Sequence, residues 1–221
     1  GGFDRWEFRY RNALKDGDMT ATGQVIEGGA GVKATLEAVK DEFSKAKFAG
    51  IACGIKNTGI GNGMPDSSKV TITIVSEDKV VLDHGWTEMG QGVHTMAQQT
   101  LVTETGIDPA IIDVRVDTSS EMVTGMTTAS RATSLVGNAT IDACKQLKKD
   151  LETQSLADLV GKQYVGEFSV DWTTKPGAMV EKVYTHYSYS YATQVVILDE
   201  DGQVEKIIAA HDAGKIFNPT L

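Results

Sequence analysis

The chain is poor in the residues that hold metal clusters and in the long apolar runs that cross membranes. Its 221 residues include only two cysteines, Cys53 and Cys144, which are far apart and form no CxxC pair. The chain by itself therefore cannot ligate an iron–sulfur cluster or a structural zinc ion, and both thiols are predicted to be free and buried. No apolar run approaches the ~18 residues of a membrane span, and residues 1–14 lack the apolar core of a signal peptide, so a cytoplasmic location is expected.

Basic residues are also scarce relative to acidic ones. The sequence has 21 Lys and Arg against 30 Asp and Glu, which gives a formal net charge of −9. Without a basic patch to neutralise phosphates, a nucleic-acid or anionic-membrane surface is not expected. The histidines show no HxxxH or HxH spacing, which argues against a zinc hydrolase. They are His84, His94, His186 and His211.

The hydrophobic periodicities predict an α+β fold, with β-hairpins and a mixed sheet packed against amphipathic helices. Helices are predicted over residues 3–14, 31–47, 93–105 and 132–151, of which the first lacks a clear capping residue. Strands are predicted over residues 48–56, 111–117, 164–170, 185–198 and 204–211, and a further hairpin over residues 69–86. Residues 1–221 are interpreted as one domain fragment with two candidate lobes, 1–68 and 69–221.

Residues 84–106 contain the most informative local pattern, in which a strand end is followed by a glycine-punctuated turn and a helix. Gly90 and Gly92 flank Gln91, so the backbone can take positive φ and approach a ligand closely. The helix that follows offers free N–H groups and the positive end of its dipole to an anion, and the Gln91 amide can both donate and accept hydrogen bonds. The alternative is a glycine turn that binds nothing.

A second polar segment, residues 117–131, leads into the helix predicted at 132–151. Its hydroxyls and the N–H groups at the helix start form a second candidate anion-binding edge, against the alternative of an ordinary capped helix. Arg131 is a candidate phosphate clamp or a surface ion-pair partner. The stretch GIGNG at residues 59–63 lacks the Gly-Lys-Ser/Thr ending of a phosphate loop and is predicted to be a turn.

Three sequence blocks together resemble a known enzyme family. They are GWTEMGQGVHT at residues 85–95, TTASRATSLVGNA at 127–139 and AAHDAGKIFNP at 209–219. In order and spacing they are similar to the molybdenum hydroxylases, the family of xanthine dehydrogenase and aldehyde oxidoreductase. The resemblance covers essentially the whole chain, which on this basis looks like a fragment of the molybdopterin-binding domain of the family's large subunit.

The resemblance implies a molybdenum–molybdopterin cofactor, either in its plain form or as the cytosine dinucleotide. Gln91 matches a glutamine that hydrogen-bonds the cofactor, in a loop shaped by Met89, Gly90 and Gly92. In the second loop, Ala129 and Ser130 match residues that pass the pterin and the metal. Their neighbours Thr128, Arg131 and Thr133 are further candidates. We therefore expect the two loops, and the helix starts that follow them, to converge on one anionic cofactor.

The resemblance also implies an oxidoreductase that hydroxylates a xanthine-like purine, another N-heterocycle or an aldehyde, with water as the oxygen source. No catalytic residue or metal ligand is expected within this chain, since the family's catalytic glutamate would lie outside it, and the fragment is expected to be inactive alone. The expected partners are the remaining molybdopterin-binding domain, the small-molecule substrate, and domains or subunits that carry [2Fe-2S] clusters and FAD. The alternative is a non-catalytic pterin- or nucleotide-binding module or a cofactor carrier.

Overall fold

A computed structural model describes residue 2 and residues 4–117, 119, 122 and 124–220 of the chain. The helices are α1 (Arg5–Asn12), α2 (Val32–Lys45), α3 (Val93–Thr105) and α4 (Ala132–Leu151). The strands are β1 (Phe48–Thr58), β2 (Asp66–Ser76), β3 (Lys79–His84), β4 (Ile112–Arg115), β5 (Gln163–Val170), β6 (Ser188–Leu198) and β7 (Val204–Asp212). Helices and mixed sheets occur together, so the predicted α+β class is confirmed.

The chain forms two compact units. The first unit comprises Gly1–Thr58 and Thr173–Ile216, and the second comprises Gly59–Trp172 and Phe217–Leu221. They do not coincide with the predicted lobes 1–68 and 69–221, because β1 pairs with β6 across more than a hundred residues. Such a pairing leaves no local trace in the sequence.

The first unit is an antiparallel three-stranded sheet, in the order β1-β6-β7, packed against α1 and α2. Its core contains Trp6 of α1, Leu36 of α2 and Val195 of β6. The Trp6 indole N–H donates to the Leu36 carbonyl at 2.8 Å, which satisfies a buried donor. Helix α1, predicted to start without a cap, is in fact capped by Asp4, whose carboxylate accepts from Glu7 N–H.

The second unit is a four-stranded sheet, in the order β4-β3-β2-β5, with α3 and α4 packed together. Strands β3 and β4 are parallel, and α3 is the crossover between them. Helix α4 lies against β2 and β5, and it approaches β5 so closely that a Cβ on Gly166 would be 2.0 Å from the Ala139 carbonyl oxygen. The carboxyl end of β3 lies beside the start of β2, at one end of the strands of this sheet. The loop that connects β3 to α3 begins there.

The predicted thiol environments are only half right. Cys144 is buried in α4, but Cys53 is exposed, although both thiols are free. Cys53 lies on β1, an edge strand whose residues beyond Ile51 are mostly exposed. None of the helices in the described part of the chain is long and apolar enough to cross a membrane.

Candidate functional site

The first loop, residues 85–92, connects the end of β3 to α3 and is anchored by Trp86. The Trp86 ring is fully buried, and its indole N–H donates to Ser68 Oγ at 2.9 Å. Its backbone N–H donates to Nδ1 of His84 at 3.1 Å. Gly90 and Gly92 have φ of 102° and 80°, so the positive φ predicted for this loop is present. The start of the loop is therefore fixed by the buried Trp86, and the conformation of residues 90–92 depends on the two glycines.

The N-terminal end of α3 is occupied by the side chain of Glu88. Glu88 Oε1 accepts from the N–H groups of Gly90 at 2.8 Å and Gly92 at 3.0 Å, and Oε2 accepts from His94 N–H at 3.2 Å. Burial alone would raise the pKa of Glu88, but these backbone N–H groups and the nearby His94 ring lower that pKa to about 2. The prediction that α3 offers free N–H groups to an external anion is therefore wrong for Gly92 and His94, because an internal carboxylate already accepts from them.

Gln91 is exposed, and its amide braces the loop that carries it. Its Oε1 accepts from Met89 N–H at 2.7 Å, and its Nε2 donates to the Thr87 carbonyl at 2.9 Å. An amide group has two N–H donors and two acceptor lone pairs, so one of each stays available after these contacts. Gln91 can thus hold the loop and still bind a ligand.

The second loop is tied to the first and enters α4 through a strained turn. Thr127 Oγ1 accepts from Thr87 N–H and donates to the Thr87 carbonyl, both at 3.2 Å. Ala129 and Ser130 have φ of 57° and 49°, a left-handed conformation that is uncommon for residues other than glycine. The strain turns the backbone sharply just before α4. Such outliers persist where the surrounding structure holds them, often at binding sites.

The N-terminal end of α4 has no side-chain cap among the described residues. The first helical bond of α4 runs from Leu135 N–H to the Arg131 carbonyl at 3.0 Å. The N–H groups of residues 132–134 therefore have no acceptor within the helix. Together with the helix dipole, they make this end suitable for an anion.

Arg131 is a buried ion-pair partner rather than a phosphate clamp. Its guanidinium pairs with Asp66 and stacks over the Trp86 ring, with Cζ 4.5 Å from the ring centroid. It also donates to the carbonyls of Thr124 and Met126. Of the two interpretations left open by the sequence, the ion pair is present, but it lies in the interior and not at the surface.

The two loops line one shared cavity of about 350 Å³. Seven of the nine predicted site residues line it: Met89, Gln91, Thr128, Ala129, Ser130, Arg131 and Thr133. Thr127 and Ala132 complete the lining, whereas Gly90 and Gly92 shape the first loop without lining the cavity. The two loops therefore meet at one cavity, and the convergence of both helix starts on a cofactor stays a prediction.

A larger hollow of about 550 Å³ lies in the first unit, near the end of α2 and the β6–β7 turn. Four of its charged side chains form two ion pairs, Lys47 with Glu200 and Lys206 with Glu42, each at 2.8 Å. The cavity of about 350 Å³ is instead lined by hydroxyls, the Gln91 amide and the uncapped start of α4, so it is the better candidate site.

His84 and His94 form an edge-to-face pair with ring centroids 5.1 Å apart. Burial and the neighbouring His94 ring lower the pKa of His84 to about 4, although Glu88 opposes the shift. His84 is therefore neutral near pH 7. In the described residues, no group of three or more His, Cys, Asp or Glu side chains is placed to hold a metal ion.

Sequence reasoning missed Asp66 and the contact made by the turn at residues 59–63. Asp66 is the buried partner of Arg131, and Gly59 N–H donates to the Ala129 carbonyl at 3.0 Å. Asp66 follows a proline and precedes two serines, a pattern typical of an exposed turn. The pairing of β2 with β3 and β5 brings Asp66 to the site.

Comparison with known proteins identifies similar chains. Residues 29–159, more than half of the chain, match the model of the molybdopterin cofactor-binding domain family. The chain is 25% identical to xanthine dehydrogenase of Calliphora vicina over 100% of this chain and 19% of that protein. It is 26% identical to a probable xanthine dehydrogenase subunit of Bacillus subtilis, over 99% of this chain and 35% of that protein. The chain thus spans about a fifth of the length of the first relative and about a third of the length of the second.

The fold is also similar to solved structures. An aldehyde oxidoreductase from Desulfovibrio desulfuricans superimposes with a TM-score of 0.79 at 23% identity, over 99% of this chain and 27% of that chain. A CO dehydrogenase from Oligotropha carboxidovorans gives a TM-score of 0.71 at 16% identity, over 99% of this chain and 35% of that chain. At these identities the comparison supports the shared fold.

Proposed function

The chain belongs to the molybdopterin cofactor-binding domain family, and from that premise we propose that residues 87–92 and 127–133 hold part of a molybdenum–molybdopterin cofactor. The observation that carries the proposal is the cavity shared by these two loops. Its volume of about 350 Å³ is at the small end of ligand sites, which suits one part of a large cofactor.

The chemistry of the cavity lining fits such a group. Three threonine hydroxyls, one serine hydroxyl and the Gln91 amide line it, and no carboxylate occurs among its described lining residues. A phosphate or a heteroatom-rich pterin requires hydrogen-bond donors and is disfavoured by fixed negative charge. The N–H groups of residues 132–134 add the positive end of the α4 dipole. The donor set is thus suited to an anionic, polar ligand.

Each predicted residue has a specific role in this proposal. Gln91 binds the cofactor with the donor and acceptor that its loop contacts leave over. Thr128, Ala129 and Ser130 present hydroxyl and backbone groups from the strained turn. Arg131 takes part through its backbone, because its guanidinium is buried against Asp66.

Four further residues shape the site. Met89, Gly90 and Gly92 set the path of the first loop, and Thr133 lies in the first turn of α4.

For the larger protein that contains this domain, we propose the hydroxylation of a xanthine-like purine, another N-heterocycle or an aldehyde. The cofactor supplies two-electron redox chemistry with water as the oxygen source. The similarity to proteins named xanthine dehydrogenase favours a purine. We further propose that domains or subunits with [2Fe-2S] clusters and FAD accept the electrons. Either form of the cofactor, plain or cytosine dinucleotide, and a cytoplasmic location are compatible with this proposal.

The proposal is tested by measuring the molybdenum, iron and pterin content of the full-length protein, purified with its natural partners. We expect about one molybdenum atom per subunit, and we expect a purine or an aldehyde to reduce the protein. A protein that carries the cofactor but is reduced by none of these substrates would be a carrier or binding module. Absence of both molybdenum and pterin would refute the cofactor assignment.

Replacing Gln91 by alanine is expected to lower cofactor content and to speed cofactor loss by roughly tenfold, which corresponds to about 1.4 kcal/mol. The loop loses the amide that braces Met89 and Thr87 and that faces the cavity. Gln98→Ala is the matched control, since the Gln98 amide bonds the carbonyls of Pro109 and Ile112 and does not line the cavity. Equal cofactor retention in both variants would remove Gln91 from the site.

A further inference from the structure

Asp66 and Arg131 form an ion pair from which water is almost excluded, with side chains 1% and 2% exposed, respectively. The burial of two charges carries a large desolvation cost, so such a pair contributes little net stability compared with apolar residues of similar size. Its contribution here is geometric. The two residues are 65 positions apart, one at the start of β2 and the other immediately before α4.

The carboxylate of Asp66 links two segments of the second unit. One oxygen, Oδ2, accepts from Ile60 N–H at 3.1 Å, and the other pairs with Arg131. The neighbouring Gly59 N–H donates to the Ala129 carbonyl at 3.0 Å. The turn at residues 59–63 is therefore held against the strained turn of the second loop at two points.

The guanidinium of Arg131 extends this linkage to both cavity loops. Nε donates to the Met126 carbonyl at 3.2 Å, and Nη2 donates to the carbonyls of Thr124 and Met126, each at 2.5 Å. Its planar face covers Trp86, the buried root of the first loop. Thr124 Oγ1 in turn donates to the Gly85 carbonyl at 3.0 Å. Nε and Nη2 thus bond the segment that leads into the second loop, while Nη1 pairs with Asp66.

We propose that Asp66 and Arg131 are a positioning pair, which fixes the turn at 59–63, the loop at 85–92 and the turn at 124–131 relative to one another and thereby retains the cofactor. This inference rests on the proposed function. In this role neither side chain needs a contact with the ligand, since both are almost completely buried. They act through the backbone of Ala129 and Ser130 and through Trp86.

The test uses the full-length protein with two substitutions and one control. Asp66→Asn removes the negative charge with little change of shape, and Arg131→Lys keeps the positive charge but removes the planar fork that reaches two carbonyls. Leu147→Ala is the control, because Leu147 is fully buried in α4, the helix that follows Arg131, and does not line the cavity. It lowers thermal stability without altering the ion pair.

Two quantities are measured at temperatures set equally far below each variant's unfolding midpoint. The first is the rate of pterin and molybdenum release, expected to rise about tenfold or more in Asp66→Asn and Arg131→Lys and to change little in Leu147→Ala. The second is amide hydrogen exchange in the cofactor-free protein. The amides of residues 85–92 and 124–130 are expected to exchange about tenfold faster in the two pair variants only.

The outcomes separate this inference from the function on which it rests. Equal release rates in Leu147→Ala and the pair variants would make the ion pair merely structural and overturn the inference. A parent protein without molybdenum or pterin would instead refute the proposed function, and loop exchange would still report the positioning role. If Asp66→Asn does not fold, Arg131→Lys decides the question by the same two measurements.

Discussion

Helices α3 and α4 both begin at a loop that lines the candidate cofactor cavity, but their N-terminal ends are satisfied differently. At α3 the carboxylate of Glu88 accepts from the N–H groups of Gly90, Gly92 and His94. At α4 no side chain caps the helix among the described residues, and the preceding residues, Ala129 and Ser130, are strained. The start of α3 is thus occupied by the Glu88 carboxylate, whereas the start of α4 is open to an external anion.

The two helix ends are therefore expected to have different roles in binding an anion. A helix end that is already capped by a carboxylate gains nothing from a phosphate and would repel it, whereas an uncapped end is stabilised by negative charge. We therefore infer that the first loop contributes shape and the Gln91 amide, while the second contributes the anion-binding backbone. Substitutions at either helix end test this difference in capping.

Gly92→Val is expected to have the largest effect. Gly92 has φ of 80° and donates its N–H to Glu88 at 3.0 Å, and a β-branched residue is strongly disfavoured at positive φ. A loss of about 3 kcal/mol in the free energy of unfolding is expected, as measured by urea denaturation of the cofactor-free protein. Gly92→Asn is the control, because asparagine tolerates this conformation. If both variants are equally stable, the capped turn at α3 does not depend on the backbone of Gly92.

Glu88→Ala is expected to cost about 2 kcal/mol, since three backbone N–H groups lose their acceptor. It also makes the start of α3 resemble that of α4. Sulfate at millimolar concentration should then raise the unfolding temperature of Glu88→Ala more than that of the parent protein, because the freed helix end accepts an anion. The same sulfate response in both proteins would show that the α3 end was never closed by Glu88.

The pH dependence of stability tests the same carboxylate with a smaller effect. The pKa of Glu88 is about 2 in the folded protein and 4.5 for an ordinary glutamate. A lowered pKa means that the carboxylate stabilises the folded state above pH 4.5, and this contribution is lost as the pH falls from 4.5 to about 2. The stability difference between the parent protein and Glu88→Gln should therefore shrink over that interval. A difference that is independent of pH would contradict the low pKa.

Much of this architecture follows from local patterns. The helix predicted over residues 132–151 is α4 itself, since its buried stripe of Leu135, Ala139, Ala143 and Leu147 repeats every four residues. The two loops were predicted as parts of one site on the basis of family resemblance, and the structure brings them to one cavity. Periodicity and turn chemistry act over a few residues, so a single sequence displays them.

The remaining features depend on contacts between distant residues. The residues next to Asp66 in the sequence do not indicate that it pairs with Arg131. The contact arises because antiparallel pairing of β2 and β3 places the start of β2 beside the end of β3. The role of Glu88 is equally hard to predict, since a carboxylate five residues before the first helical residue becomes the cap of α3 only when Gly90 and Gly92 turn the chain back. Local propensity does not encode such closure.

The smallest effect is expected at the uncapped helix, from Ala129→Gly. The left-handed conformation at φ of 57° costs an alanine about 1–2 kcal/mol, while glycine adopts it freely but loses about 0.5–1 kcal/mol of chain entropy on folding. The free energy of unfolding should therefore rise by about 0.5 kcal/mol, measured by urea denaturation of the cofactor-free protein. Ala132→Gly, at the first residue of α4, should show the opposite sign, since that position is helical. A loss of stability in both variants would mean that the turn before α4 is not strained, and the contrast between the two helix ends would then rest on capping alone.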